Sequence, residues 1–80
     1  MLLKCDSVVE GQGPSESIAT IPTISGAEEV IVYSGLVVNN RLNVGPILGK
    51  DGDKRLVELP RESASGRWRV WVPEGALAEI

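Results

Sequence analysis

The chain has 80 residues, a net charge of −3 and one cysteine, Cys5, and it contains no histidine. This length predicts one domain over residues 1–80, and the missing histidine excludes Ser-His and Cys-His catalytic pairs and the usual zinc sites. A single cysteine excludes an intrachain disulfide framework, and no apolar run approaches the length of a membrane span. Because small secreted domains usually depend on disulfides, we expect a cytoplasmic protein. We also expect no metal, no cofactor and no membrane partner.

The first half of the chain alternates between strand and turn signals. Residues 2–9 alternate in polarity, which predicts a strand with Cys5 in the core. Residues 17–21 predict a short second strand that Pro22 ends or places at a sheet edge. A loop around Ser25-Gly26 then precedes a third strand at residues 28–33.

The strand predicted at residues 28–33 is apolar on both faces. Val30 and Val32 lie on one face, and Ile31 and Tyr33 lie on the other. A strand that is apolar on both faces is usually covered on both faces. In so small a domain we expect that another subunit provides the second cover.

The second half contains two hairpin signals. Asn39-Asn40 separates residues 36–38 from residues 41–44, and asparagine tolerates the positive φ that a two-residue hairpin turn needs. Asp51-Gly52 separates residues 47–48 from a strand at residues 55–59, which Pro60 ends. A polar loop at residues 61–66 leads to the last long strand, at residues 67–72.

Glycine and proline together account for fourteen residues, and they interrupt almost every segment. No long window has the 3.6-residue periodicity of a helix, and strand and turn signals recur every eight to twelve residues. Such spacing is typical of an all-β barrel or sandwich.

Residues 67–72 contain both tryptophans of the chain. Strand alternation predicts that Trp68, Val70 and Val72 face the core, whereas Arg67, Arg69 and Trp71 face outward. Tryptophan and arginine are enriched at binding hot spots. The alternative for Trp71 is a structural role, in which its ring closes one end of the fold beneath the arginine stems.

The C-terminal segment, residues 68–80, resembles the closing part of an SH3-like small β-barrel. In those barrels a strand ends at a proline, here Pro73, and a single 3-10 turn leads to a final short strand, here near Leu77. The resemblance implies an all-β fold, a small antiparallel SH3-like β-barrel of five to seven short strands. Peptide-binding SH3 domains have a tyrosine where this chain has Ala76 or Leu77, so binding of proline-rich peptides is not implied.

We therefore expect a non-catalytic interaction or assembly module that is homo-oligomeric or binds another protein. Its predicted surface consists of Trp71, Arg67, Arg69, Tyr33 and Ile31.

Two alternatives remain from the sequence. Residues 1–40 carry a net charge of −4, whereas residues 41–69 carry +3, and such asymmetry can mark a site for nucleic acid or another polyanion. The simpler explanation is that the two halves neutralise each other in the folded chain. A second alternative is a small-molecule or enzymatic domain that uses paired acids. The residues of the nucleic-acid alternative are Arg41, Lys50, Lys54, Arg55 and Arg61.

Overall fold

The computed structural model describes residues 1–79, and these residues form ten β-strands and two 3-10 helices. The strands are β1 (Leu2–Lys4), β2 (Ser7–Glu10), β3 (Glu16–Thr23), β4 (Gly26–Tyr33), β5 (Val37–Val38), β6 (Arg41–Asn43), β7 (Ile47–Asp51), β8 (Lys54–Glu58), β9 (Arg69–Pro73) and β10 (Leu77–Ala78). The 3-10 helices are Ser34–Leu36 and Glu74–Ala76.

The strands form three antiparallel sheets. Sheet A has the order β10-β1-β6-β5, sheet B has the order β2-β3-β4, and sheet C has the order β7-β8-β9. The predicted all-β class is confirmed. The predicted closed barrel is not confirmed, because the three sheets are open.

The strand predicted at residues 2–9 is divided between two sheets. Cys5 donates its backbone N–H to the carbonyl oxygen of Asn40 at 3.0 Å, and Asp6 donates its N–H to that of Thr20 at 2.7 Å. The chain therefore passes from sheet A into sheet B between β1 and β2.

The hairpin β3–β4 is the longest ladder of the fold, with paired residues from Glu16 opposite Tyr33 to Thr23 opposite Gly26. Pro22 does not end β3, which continues to Thr23, but it lies beyond the pairing of β3 with β2 and so at a sheet edge, which was the other predicted possibility. It lies opposite Ala27, and the ladder tolerates it where no N–H is required of it. Gly26 has a φ of 114°, which allows the tight turn at Ile24 and Ser25.

The two predicted hairpin turns are present. Asn39 and Asn40 have φ values of 51° and 63°, as a two-residue turn between β5 and β6 requires. In the second hairpin the turn residues are Gly52 and Asp53, one position later than predicted, because Asp51 pairs with Lys54.

One core of buried apolar side chains joins the inner faces of the three sheets. Val70 and Val72 lie in it as predicted, and so does Cys5. The members of the core are Leu3, Cys5, Ala19, Ile21, Val30, Val32, Leu42, Val44, Val57, Leu59, Val70 and Val72.

The prediction that Trp68 lies in the core is wrong, because its side chain is 52% exposed. Strand β9 begins only at Arg69, so strand alternation does not fix the direction of the Trp68 side chain. Its indole Nε1 donates a hydrogen bond to Oε2 of Glu62 at 3.0 Å. Trp68 therefore packs toward the polar loop before β9.

Candidate functional site

The outer face of sheet B exposes an apolar row that consists of Val9, Ile18 and Ile31. Val9 lies opposite Ile18 across β2 and β3, and Ile18 lies opposite Ile31 across β3 and β4. Directly opposite side chains on one face of a sheet are close neighbours. Val9 and Ile31 are 55% and 45% exposed, so the row faces solvent.

Tyr33 extends this surface at the end of β4. It lies opposite Glu16, its side chain is 63% exposed, and its ring lies over Gly35. A shallow groove of about 210 Å³ is lined by Gly11, Gln12, Glu16, Ile18 and Ile31. Ile31 and Tyr33 thus belong to one exposed surface, as the sequence predicted.

Strand β4 also has an edge that faces away from β3. Since proline has no N–H, the pair of Pro22 and Ala27 belongs to the type without ladder hydrogen bonds, and pair types alternate along the strands. The backbone groups of Glu29, Ile31 and Tyr33 consequently point away from β3. The carbonyl oxygen of Glu29 confirms this geometry, because it accepts the N–H of Ala64 at 2.8 Å.

The loop at residues 63–67 covers one end of this edge. Besides the bond from Ala64, Ser65 Oγ donates to the carboxylate of Glu28 at 2.7 Å, and Arg67 Nε lies 3.7 Å from Glu28 Oε1. Among residues 1–79, no backbone hydrogen bond from another strand or loop reaches the outward groups of Ile31 or the N–H of Tyr33. The carbonyl oxygen of Tyr33, the N-cap of the 3-10 helix Ser34–Leu36, accepts the first hydrogen bond of that helix. We call residues 31–33 the open segment.

The arginines and tryptophan of the predicted surface lie elsewhere. Trp71 is half-buried on the outer face of sheet C, where it lies opposite Leu56 and its ring covers Gly49. Arg69 Nε is 3.4 Å from Glu58 Oε2, and Arg67 pairs with Glu28 as described above. The structure therefore divides the predicted surface between two sheets.

The five basic residues of the nucleic-acid alternative are dispersed. Arg41 lies on β6, Lys50 and Lys54 flank the turn of the β7–β8 hairpin, and Arg61 lies in the loop before β9. Arg55 forms an ion pair with Glu74 and donates to the carbonyl oxygens of Gly52 and Lys54. Its guanidinium is thus already engaged within the chain.

Cys5 is the only side chain with thiol chemistry in this sequence. Burial raises the pKa of the Cys5 thiol above its ordinary value of 9.0, and nearby Asp6 adds to the rise, although a hydrogen bond to the Leu42 backbone opposes it. A buried neutral thiol is a poor nucleophile. Cys5 therefore fits a core residue better than a reactive one.

The loop between β2 and β3 forms a polar concavity of about 470 Å³. Two acids, Glu10 and Glu16, contribute to its walls. Oε1 of Glu16 accepts the N–H of Gly13 at 2.9 Å, so this carboxylate closes the loop on itself. Within the described residues, no group of three metal-ligating side chains comes together, and no helix is long and apolar enough to cross a membrane.

Two members of the exposed surface, Val9 and Ile18, were not singled out from the sequence. Each lies in a strand that the sequence predicted, but their alignment with Ile31 in one row depends on two pairing registers. The tight turn at Ile24 and Ser25 is a signal for the register of β3 with β4.

Comparison with known proteins gives no relative for this chain: no family model, curated protein or solved structure matches it significantly.

Proposed function

We propose that this protein is a non-catalytic assembly module whose partner is a second copy of the same chain. The observation that carries the proposal is the combination on β4 of exposed apolar side chains and an open strand edge at residues 31–33. Exposed apolar patches mark sites of association, and an unpaired strand edge is a template for another strand. A cytoplasmic location is part of the proposal and rests on the single buried thiol of Cys5.

Two of the other edge strands, β5 and β7, carry features that discourage pairing. Strand β7 contains a bulge between Ile47 and Gly49 and ends in Lys50 and Asp51, and β5 is only two residues long. Bulges, charges and short strands are the means by which proteins protect their edges. The end of β4, residues 30–33, by contrast contains no charged side chain and no bulge.

The C-terminal part of the chain supports a further element of the proposal. Strand β9 ends at Pro73, the 3-10 helix Glu74–Ala76 follows, and β10 begins at Leu77. This is the order that the SH3-like resemblance implied. We propose that the fold is an open variant of an SH3-like barrel.

A contribution of Trp71, Arg67 and Arg69 to protein contact stays a prediction. Trp71 and Arg69 lie on sheet C and are candidates for a second contact surface, separate from that on sheet B, whereas Arg67 lies in the loop before β9 and pairs with Glu28. The half-buried ring of Trp71 over Gly49 equally supports a structural role.

Sedimentation velocity tests the proposal. Over concentrations from about 10 µM to about 1 mM, we expect a mass that rises above the 8.5 kDa of one chain. A mass of one chain throughout this range contradicts self-association.

A pair of matched variants then locates the contact. Ile31→Lys places a charge on the open segment and should abolish the rise in mass, because lysine on an edge strand opposes strand pairing. Val38→Lys is the control, since Val38 is 55% exposed but lies on β5 of sheet A. If Val38→Lys dissociates the assembly and Ile31→Lys does not, the contact lies elsewhere.

A further inference from the structure

We infer that two copies of this chain join through their β4 strands in one antiparallel register, with the two-fold axis at Val32. In this register Ile31 of each copy lies opposite Tyr33 of the other. The inference rests on the proposed self-association and specifies its geometry. The product is a continuous sheet formed from two copies of sheet B.

The length of the open segment limits the possible registers. On one side, Ala64 already occupies the carbonyl oxygen of Glu29. On the other side, the 3-10 helix Ser34–Leu36 begins, and Ser34 donates its N–H to the carbonyl of Ser15 at 2.7 Å. Between these limits, the outward N–H and C=O of Ile31 and the N–H of Tyr33 have no backbone partner among residues 1–79, and the Tyr33 carbonyl keeps a second lone pair for a new strand.

Two-fold axes at neighbouring residues place an open residue opposite a covered, charged or non-strand residue of the second copy. A two-fold axis at Ile31 places Tyr33 opposite Glu29 of the second copy, where the loop at residues 63–67 already lies against the strand edge through the bond from Ala64. An axis at Val30 places the carboxylate of Glu29 opposite an apolar Ile31. An axis at Tyr33 places Ile31 opposite Gly35 of the second copy, which lies in the 3-10 helix and not in a strand.

In the register centred on Val32, Ile31 and Tyr33 of each copy both lie opposite an open residue of the other copy, which gives two symmetry-related pairs. Ile31 and Tyr33 of opposite copies can exchange both N–H···O=C bonds, as hydrogen-bonded antiparallel pairs do, with the Tyr33 carbonyl accepting through its second lone pair. Their side chains lie on the same outer face, where an aromatic ring beside a β-branched side chain is a favourable cross-strand pair. The apolar rows of the two copies then meet at this pair.

Electrostatics favour a second copy at this position. Each chain carries a net charge of −3, so two copies repel each other overall. Residues 30–33 are uncharged, so the residues that pair in this register add no like-charge repulsion of their own. The open segment is also complementary to itself, which a symmetric dimer requires.

Tyr33 allows the backbone contribution to be separated from that of the side chain. Its φ is −62°, which is the value that proline imposes, and its N–H has no partner within residues 1–79. Tyr33→Pro should consequently leave the fold intact while removing the N–H that the second copy needs. Tyr33→Ala removes the same ring but keeps the N–H, so it is the matched control.

The expected result is a dissociation constant at least about tenfold weaker for Tyr33→Pro than for Tyr33→Ala, because each lost hydrogen bond is counted twice in a symmetric dimer. Circular dichroism of both variants verifies that the monomer remains folded. Equal dimerisation of the two variants overturns the strand pairing.

Disulfide trapping tests the register independently. In a Cys5→Ala background, a tagged Ile31→Cys chain is mixed with an untagged Tyr33→Cys chain and oxidised. The mixed disulfide should form faster than either symmetric one, because the Cα atoms of opposite residues are about 5.5 Å apart, within disulfide range. Faster trapping of the Ile31→Cys homodimer indicates an axis at Ile31 and overturns the inference.

These outcomes distinguish a failure of the proposed self-association from a failure of the proposed strand register. A wild-type chain that is monomeric up to about 1 mM overturns both the proposed function and the inference. A wild-type dimer that is insensitive to Tyr33→Pro and gives no mixed disulfide overturns the inference and leaves the assembly function standing.

Discussion

At the scale of single residues, Asn40 has two roles, one in its local turn and one in a contact with a residue distant in sequence. The two asparagines of the β5–β6 turn both adopt positive φ, which the sequence predicted from asparagine's tolerance of that conformation. The Asn40 side chain also donates to the carbonyl oxygen of Cys5 at 2.9 Å. This second contact was beyond sequence analysis, because its partner lies 35 residues away and depends on how β1 pairs with β6.

Cys5 supplies a pH-dependent prediction at the same scale. Because burial raises the pKa of its thiol above 9.0, the unfolded chain releases this proton at a lower pH than the folded chain does. The stability of the wild type should therefore fall above about pH 9, by at most about 1.4 kcal/mol per pH unit from this group. Urea denaturation of wild type and Cys5→Ala at a series of pH values measures the difference. Parallel curves for the two chains rule out Cys5 as the source.

At the scale of elements, the loop at residues 63–67 acts as a cover for β4. The Ser63 side chain is buried, and its Oγ accepts the N–H of Arg67 at 3.1 Å. Gly66 turns the loop with a φ of 88°, and its N–H donates to the carbonyl of Ser63 at 2.9 Å. This folded loop positions Ala64 against Glu29 and so determines where the open segment begins.

Gly66→Ala tests how much this cover contributes to stability. A Cβ at this position meets no atom within 4 Å, so the cost comes from the left-handed backbone alone. We expect a loss of about 1–2 kcal/mol in the free energy of unfolding. Gly75→Ala is the matched control, because Gly75 is equally unobstructed and its φ is not positive. Similar losses in both variants, measured by urea denaturation, contradict this role for Gly66.

The elements also show where sequence patterns stop being informative. Turn positions were predictable from Asn39-Asn40 and Asp51-Gly52, since turn chemistry is local. The choice between the two possibilities for Pro22 and the burial of Trp68 were not predictable, because both environments depend on neighbours that are distant in sequence. The missing N–H of Pro22 is harmless at its position opposite Ala27, and Trp68 precedes the first residue of β9.

At the scale of the whole molecule, the unequal charge of the two halves is partly cancelled by folding. Glu28 of the acidic half pairs with Arg67, while Arg55 and Arg69 pair with acids within the second half. Such exposed pairs contribute little to stability, but they reduce the positive potential available to a polyanion. The all-β class was predictable from strand and turn spacing, whereas the division into three open sheets depends on pairings that spacing does not encode.

From this distribution we predict no measurable binding of single- or double-stranded DNA at about 50 mM salt. Fluorescence anisotropy with labelled oligonucleotides measures this directly. Binding that weakens steeply as salt rises, and that is lost on replacement of Lys50 and Lys54 by glutamine, contradicts the prediction and revives the nucleic-acid alternative.

The ladder between β3 and β4 has a consequence for the kinetics of folding. Its paired residues lie at most seventeen positions apart, from Glu16 to Tyr33, whereas Leu2 must find Ala78 to complete sheet A. Pairing residues that are close in sequence costs the chain less conformational entropy than pairing distant residues, so the close pairs form first. The hairpin therefore forms before the loop at residues 63–67 reaches Glu29. During that interval we expect the outward edge of β4 to be open along its whole length, so refolding at high concentration should favour misassociation through the strand that we propose for assembly.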